Sequence, residues 1–346
     1  MIPTYNPDES EIRKLLATLI NQSYGNFEII IANDGDDFYS KISDIITTSQ
    51  RVIKYKTNQR RLGLYSSIEE NLKYCEYHDV LVLEQDVIPL SDDYIKSLVD
   101  LHSQNPSDVV TSRLMISDRT DYKKFVFYKR RIPNLGIITD NGKGVLNYSD
   151  KLTEVETAFT KADLLNKELL TELSSTNSVD TYTSQDIILS SLIRKNRKLI
   201  TNDSIGCEIA VTDPAEVSFF LRKEFLYGKS VLNVLEHSNS SALASTAYFR
   251  EKLFRFLFII TETLLTVISF IPFFAVTVRA LALIALIVFG IVYTQSILFR
   301  IDFWRFSRLR KNRFVENAKA SIYVIALDAA YVIGVVAGLF TRVKFR

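Results

Sequence analysis

Residues 27–37 read FEIIIANDGDD: a run rich in β-branched side chains, Phe27 to Ala32, that ends in the polar cluster Asn33-Asp34-Gly35-Asp36-Asp37. A short apolar run closed by turn-forming residues reads as a strand buried on both faces. The same reading extends outward along the chain. Val52–Tyr55 is followed by Asn58-Gln59-Arg60-Arg61, and Val80–Leu83 by Glu84-Gln85-Asp86. Ahead of these strands Ile12, Leu15, Leu16, Leu19 and Ile20 recur at helical spacing, with Asp8 or Ser10 placed to cap that helix. Strands alternating with amphipathic helices predict an α/β domain with a largely parallel sheet. Ligands of such sheets bind at the carboxyl ends of the strands, so three polar clusters at three strand ends predict one site of nucleotide size. Asp34 and Asp86 are the leading candidates because rigid strands deliver their carboxylates. Asp36 and Asp37 read as solvated loop residues.

The chain has 346 residues with 42 Lys and Arg against 40 Asp and Glu, a net charge of +2 that argues against a strongly basic nucleic-acid binder. The charge is unevenly spread: residues 251–346 carry +8 and residues 1–250 carry −6. Three stretches explain the asymmetry. Residues 256–276 contain one charge (Glu262), 280–299 contain none, and 321–341 contain one (Asp328). Each is long enough to cross a bilayer as a helix. Arg250, Lys252 and Arg255 precede the first, and Arg300, Arg305, Arg308, Arg310, Lys311 and Arg313 follow the second. The positive-inside rule then puts both flanks, and the N-terminal domain, in the cytosol; three spans leave the tail beyond Thr341 outside, where Arg342, Lys344 and Arg346 run against that rule. Met1 leads into Pro3 and Asn6 without a basic start or an apolar run, so no signal peptide is expected. Cys75 and Cys207 fit no metal spacing and read as free thiols, and His78, His102 and His237 are scattered.

Five ordered motifs carry a resemblance. Pro3-Thr4-Tyr5-Asn6, Gln22-Ser23-Tyr24-Gly25-Asn26-Phe27-Glu28, Asn33-Asp34-Gly35, Asn58 with Gly63 and Asn71, and Glu84-Gln85-Asp86 resemble the nucleotide-binding half of family 2 glycosyltransferases. Among these the chain looks like polyprenyl-phosphate and lipid-linked sugar transferases and minimal cellulose-synthase-like enzymes. The resemblance implies a GT-A fold and inverting transfer of a sugar from a nucleoside diphosphate donor, GDP or UDP. It places Pro3, Thr4 and Tyr5 beside the nucleoside, Asp34 on the base, Arg61 toward the diphosphate, and Glu84 and Asp86 where the family's Asp-x-Asp motif holds ribose and a divalent metal. Asp86 is the implied ligand of Mn²⁺ or Mg²⁺, which offsets charge building on the leaving diphosphate. Glu84 departs from the family's Asp by one methylene. The family also has about five apolar residues before its Pro-Thr-Tyr-Asn, where this chain has Met1 and Ile2.

Ser184-Gln185-Asp186, followed by Ile187, Ile188, Leu189, Leu192 and Ile193, resembles the Glu-Asp pair that opens a helix and supplies the family's general base, with Gln185 in place of the Glu. Asp186 is the expected catalytic base; a simple helix-start role is the alternative. Asp213-Pro214 is expected to cap and start another helix, whose Val217, Phe220, Leu221 and Phe225 mix with Arg222, Lys223 and Lys229. A basic amphipathic helix of this kind reads as lying on the bilayer surface, with Arg222 a candidate contact to acceptor or diphosphate. Tyr122–Arg131 (YKKFVFYKRR) and residues 299–314 interleave aromatic and basic side chains and likewise read as lipid-facing. Ala326, Ala330, Gly334 and Gly338 form a small-residue stripe expected to pack on the other two spans.

The expected organisation is a GT-A domain over 1–212, an amphipathic interfacial region over 213–252, and a transmembrane domain over 253–346 with an interfacial segment at 300–319. The expected activity is hexose transfer at the cytosolic membrane face to a lipid-linked acceptor, either a sugar hydroxyl or a polyprenyl phosphate. The missing Gln-x-x-Arg-Trp motif and the small number of spans disfavour a processive synthase. A catalytically degenerate, nucleotide-binding membrane scaffold is the alternative from another class.

Overall fold

The computed structural model describes all residues except 107, 133–134, 139–151, 156–160, 177–184, 195, 203, 211–212, 238–246, 273, 308–311 and 341–346. The chain divides into two compact units, the first formed by Met1–Ser117 and Asn134–Thr212, the second by Asp118–Pro133 and Asp213–Arg346.

The first unit contains β1 (Ile2–Thr4), α1 (Glu9–Ile20), β2 (Ile29–Asn33), α2 (Tyr39–Thr48), β3 (Ile53–Thr57), α3 (Leu64–Leu72), β4 (Asp79–Leu83), β5 (Val87–Pro89), α4 (Tyr94–Gln104), β6 (Val109–Thr111) and β7 (Arg113–Ser117). The chain passes through α5 (Tyr122–Arg131) of the second unit and returns with β8 (Gly136–Ile138), β9 (Leu152–Glu154), β10 (Ala162–Asn166), α6 (Lys167–Thr176), α7 (Gln185–Ile193), β11 (Leu199–Asn202) and β12 (Gly206–Ile209). Strands β1, β2 and β3 form a parallel sheet in that order. Main-chain bonds from the Met1 amine to Leu81 O and from Leu83 N to Met1 O bring β4 alongside β1. Beyond it the order is β4-β10-β6-β11-β9, while β5-β12-β7-β8 form a separate sheet. The apolar strand predicted at 27–32 is observed as β2, buried at every position. Asp8 caps α1 by accepting from Ser10 N and Glu11 N, and Ile12, Leu15, Leu16 and Leu19 form its buried face.

The second unit is helical: α5, α8 (Val217–Lys229), α9 (Val231–His237), α10 (Ala247–Phe270), α11 (Val276–Arg300), α12 (Phe303–Ser307) and α13 (Arg313–Phe340). Three segments, Arg250–Phe270, Val276–Arg300 and Arg313–Phe340, are long and apolar enough to cross a membrane. Large apolar side chains such as Leu264, Phe270, Leu281, Ile284 and Ile333 face outward on them, the kind of surface a bilayer covers. Their boundaries differ from the expected 256–276, 280–299 and 321–341. The first ends at Phe270 because Pro272 follows and disfavours helix at the residue before it. The third starts earlier, at Arg313, so part of the segment expected to be interfacial is helix α13 itself.

Four further expectations are corrected. Helix α5 buries Phe125, Val126, Phe127, Lys129 and Arg130 within the second unit instead of offering them to lipid. Its basic residues find carboxylates there: Arg130 Nη2 donates to Asp328 Oδ1 at 2.6 Å. In the segment after α11, Phe303 and Phe306 turn inward, Phe306 stacked on Phe125 at a centroid distance of 4.0 Å, while Trp304 stays exposed. Asp213 does not cap a helix, since α8 starts at Val217; its carboxylate accepts from Lys223 Nζ at 2.7 Å and from the Tyr128 hydroxyl. Finally, the small-residue stripe packs on α8, the helix expected on the bilayer surface. A Cβ at Gly228 would lie 2.0 Å from Tyr331 O and one at Gly334 2.1 Å from Phe225 O. Only glycine permits backbones to approach this closely.

Candidate active site

The ends of β1, β2, β3 and β4 converge, as the three polar clusters predict. At β2, Asp34 N donates to Thr4 O at 2.8 Å, which ties the end of β2 to that of β1. The Asp34 carboxylate accepts from Leu62 N and Gly63 N at 2.7 Å each and from Asn58 Nδ2 at 3.0 Å. Three of its four acceptor positions are thus filled by the 58–63 loop, and one on Oδ2 takes no bond among the described residues. Asn58 in turn donates to the Ser67 hydroxyl and accepts from Asn71 Nδ2. Gly63 has φ 84, a left-handed conformation costly for any side chain. Asn58, Gly63 and Asn71, present in the motif pattern, thereby acquire a role: they shape the loop that presents Arg61. A Cβ at Gly35 would come within 2.8 Å of Asn6 N, so the loops after β1 and β2 touch only because position 35 is glycine.

Pro3 and Thr4 are buried in β1, Pro3 paired with Ala32. Tyr5 is exposed, and the Arg61 guanidinium stacks on its ring at 4.1 Å. Its backbone is gripped by Gln85: Tyr5 N donates to Gln85 Oε1 at 2.8 Å, and Gln85 Nε2 donates to Tyr5 O at 3.3 Å. The middle residue of the acidic motif therefore holds the loop after β1, a role its position did not announce.

On either side of Gln85, Glu84 and Asp86 point to a single cation that sequence reasoning missed. Lys161 Nζ donates to Glu84 Oε2 at 2.5 Å and lies 3.1 Å from both oxygens of Asp86. Burial acts to lower the Lys161 pKa, yet the Asp86 and Glu84 carboxylates hold it well above the ordinary lysine value. Lys161 precedes β10, whose antiparallel register sets Ala162 against Leu83, and Glu84 N donates to Lys161 O at 2.9 Å. Nothing near residue 161 in the sequence signals this, because the pairing spans 77 residues. Among the described residues no three His, Cys, Asp or Glu side chains form a metal cluster. The fit to a divalent ion rests on the carboxylates that converge on the lysine. Their hard oxygens suit Mg²⁺ or Mn²⁺, ions commonly held by one or two carboxylates with substrate phosphates completing the shell.

Asp186 lies in the first turn of α7, but its side chain is outside the described residues. Ser184 is outside them too. Arg222 is on the exposed side of α8 in the second unit.

The family described as Glycosyl transferase family 2 matches residues 1–152. No curated protein sequence matches the chain. Among solved structures, the mannosyltransferase PcManGT from Pyrobaculum calidifontis, in complex with GDP-Man and Mn²⁺, is similar with a TM-score of 0.57 at 13% identity over 98% of this chain and 86% of that one. GalNAc-T7 with UDP, GalNAc and Mn²⁺ aligns with 71% of this chain and 56% of its own at 12% identity and a TM-score of 0.49. S. aureus TarS 1–349 aligns over 95% and 89% at 15% identity and a TM-score of 0.44. Residues 1–152 match the glycosyltransferase family 2 model, and the chain has a GT-A fold followed by three helices long and apolar enough to span a membrane.

Proposed function

We propose that this chain is a membrane-bound inverting glycosyltransferase that moves a hexose from a nucleoside diphosphate sugar, with GDP or UDP as the nucleotide, to a lipid-linked acceptor at the cytosolic face of the cell membrane. The observation that carries the reading is the convergence of Glu84 and Asp86 on one cation at the end of β4, beside Tyr5 and Arg61, within a family 2 domain. Mannosyltransferase PcManGT, of similar fold, was captured with GDP-Man and Mn²⁺, which supports a nucleotide sugar and a divalent ion here. The three apolar helices favour an acceptor that itself resides in the bilayer.

In this reading the nucleoside lies over Pro3, Thr4 and Tyr5, within reach of Asp34, and Arg61 approaches the diphosphate. Asp86, with Glu84 beside it, would hold the divalent ion, which offsets negative charge on the departing diphosphate when bound. The acceptor oxygen forms its bond to the anomeric carbon as the bond to the diphosphate breaks, and the electron pair leaves with the nucleotide. Where the acceptor is a hydroxyl, Asp186 takes its proton. Arg222 is proposed to contact the acceptor or the diphosphate.

The test is transfer by detergent-purified full-length protein from radiolabelled UDP- and GDP-hexoses into extracted membrane lipids. Organic-phase label that is lost in Asp86→Ala supports the reading. Neither transfer nor donor hydrolysis with any sugar, in protein that still melts cooperatively, would leave only the scaffold.

A further inference from the structure

The Glu84, Asp86 and Lys161 side chains form a group whose charges do not balance. Among these three side chains two carboxylates face one ammonium, at a strand end where an anionic diphosphate is expected. The ammonium is held by Glu84 Oε2 at 2.5 Å and by the two Asp86 oxygens, each at 3.1 Å. As placed, the ammonium is committed to two carboxylates, and the three side chains together offer no net positive charge to a diphosphate.

The backbone around this group is fixed. Lys161 O accepts from Glu84 N at 2.9 Å, Ala162 is in register with Leu83, and Asp86 O accepts from Ala210 N at 2.7 Å. The adjustable part is the four-carbon lysine stem, whose rotatable ammonium is a point charge and not a locked fork.

We propose that Lys161 is a built-in counter-cation for the Glu84 and Asp86 carboxylates, occupying the divalent-ion position in the empty enzyme and being displaced from it when the ion arrives with the donor. Once displaced, the ammonium is a third positive group, besides the ion and Arg61, available to the diphosphate. Two carboxylates alone are a weak divalent site, and competition from Lys161 weakens it further, so tight ion binding requires the diphosphate oxygens of the nucleotide. Ion binding thereby becomes coupled to donor binding, and the affinity of each must report the other. The inference rests on the nucleotide-sugar reading above only for the identity of the coupled ligand.

The experiment titrates full-length protein in detergent with Mn²⁺ alone, reading free ion from its electron paramagnetic resonance signal, and repeats the titration with UDP or GDP. Lys161→Met should bind Mn²⁺ alone at least tenfold more tightly than wild type. Lys161→Arg, whose planar fork suits carboxylates, should bind it less tightly than wild type. Arg61→Gln removes a neighbouring positive charge that stacks on Tyr5, and should change the affinity for Mn²⁺ alone less than threefold. Nucleotide should tighten Mn²⁺ binding more in wild type than in Lys161→Met. A gain below threefold in Lys161→Met, or an equal gain in Arg61→Gln, would overturn the proposal. If Lys161→Met does not fold, Lys161→Arg decides, and unchanged or tighter Mn²⁺ binding in it overturns the proposal. Absence of any nucleotide effect, with the tenfold gain retained, would remove the donor reading while supporting displacement.

Discussion

Arg130 Nη2 donates to Asp328 Oδ1 at 2.6 Å in the interior of the helical unit, joining a short insertion from the N-terminal half to the last apolar helix. Asp328 also accepts from the Tyr293 hydroxyl at 2.7 Å and lies 3.4 Å from Arg255 Nε. Arg255 further contacts Glu251 and Glu224, and Lys252 lies 3.9 Å from Glu224. In a helix long and apolar enough to cross a membrane, an ionised residue is tolerated when it faces inward and finds partners, as Asp328 does.

Removing one member of a buried pair leaves the other charge uncompensated, so Asp328→Leu should cost about 3–5 kcal/mol. Adding Arg130→Met to it should recover part of that loss, because the guanidinium no longer needs a partner. Thermal unfolding in detergent reads both; strictly additive losses would mean that the two side chains are not coupled.

The contact between α8 and α13 predicts a sharp contrast among glycines. Gly334→Ala and Gly228→Ala push a methyl against backbone carbonyls and should each cost about 1–3 kcal/mol, the usual range for overpacking. Gly290→Ala meets only the Glu262 side chain at 3.6 Å and should be close to neutral. Melting temperatures of the three variants decide; equal effects would argue against close contact.

Asp34→Asn keeps the size of the side chain but places an amide among three donors. At least one of Leu62 N, Gly63 N and Asn58 Nδ2 loses its acceptor, at about 1–3 kcal/mol for a buried unsatisfied group. The 58–63 loop should loosen, and UDP or GDP affinity should fall with it. Amide exchange at residues 62 and 63 faster than in wild type is the expected signature; wild-type protection would show that the carboxylate does not organise the loop.

The two thiols should differ in reactivity. Burial pushes Cys207 up to about 12, while burial raises the half-buried Cys75 above the ordinary thiol value. Because only the thiolate reacts, and a raised pKa moves its formation to higher pH, Cys75 should label slowly at pH 8 and faster at pH 9.5. Cys207 should stay unlabelled at both until the domain unfolds. Mass spectrometry after maleimide treatment checks the order.

For Asp186 the expected result depends on the acceptor. Asp186→Asn should lower kcat by about 10²–10⁴-fold if a hydroxyl must be deprotonated. A phosphate acceptor, with its second pKa of about 6, is largely ionised at pH 7 and should show a much smaller loss. Wild-type turnover to a hydroxyl acceptor would reduce Asp186 to a helix-start residue.

The sequence by itself determined the parts of this protein that rest on local pattern. Ile29–Ala32 could only be a buried strand, Asp8 stood where α1 needed an acceptor, and helices of twenty or more apolar residues followed from composition alone. It also determined that Thr4, Tyr5, Asp34, Glu84 and Asp86 belong together, because in a parallel sheet consecutive strand ends fall on one edge. Local pattern is silent about partners far away in the chain, and there the tertiary structure decided. Lys161 reaches Glu84 because β10 runs antiparallel to β4. The basic, aromatic run 122–131 looked made for lipid, yet it is buried, because Asp328 and Phe306, roughly two hundred residues later, supply the carboxylate and the ring that neutralise and cover it. The glycine stripe likewise declared a close contact without naming its partner. An amphipathic or charged segment records that it needs a complementary surface; which surface satisfies it, bilayer or protein, is fixed only when the chain has folded and the competing burial free energies are compared in three dimensions.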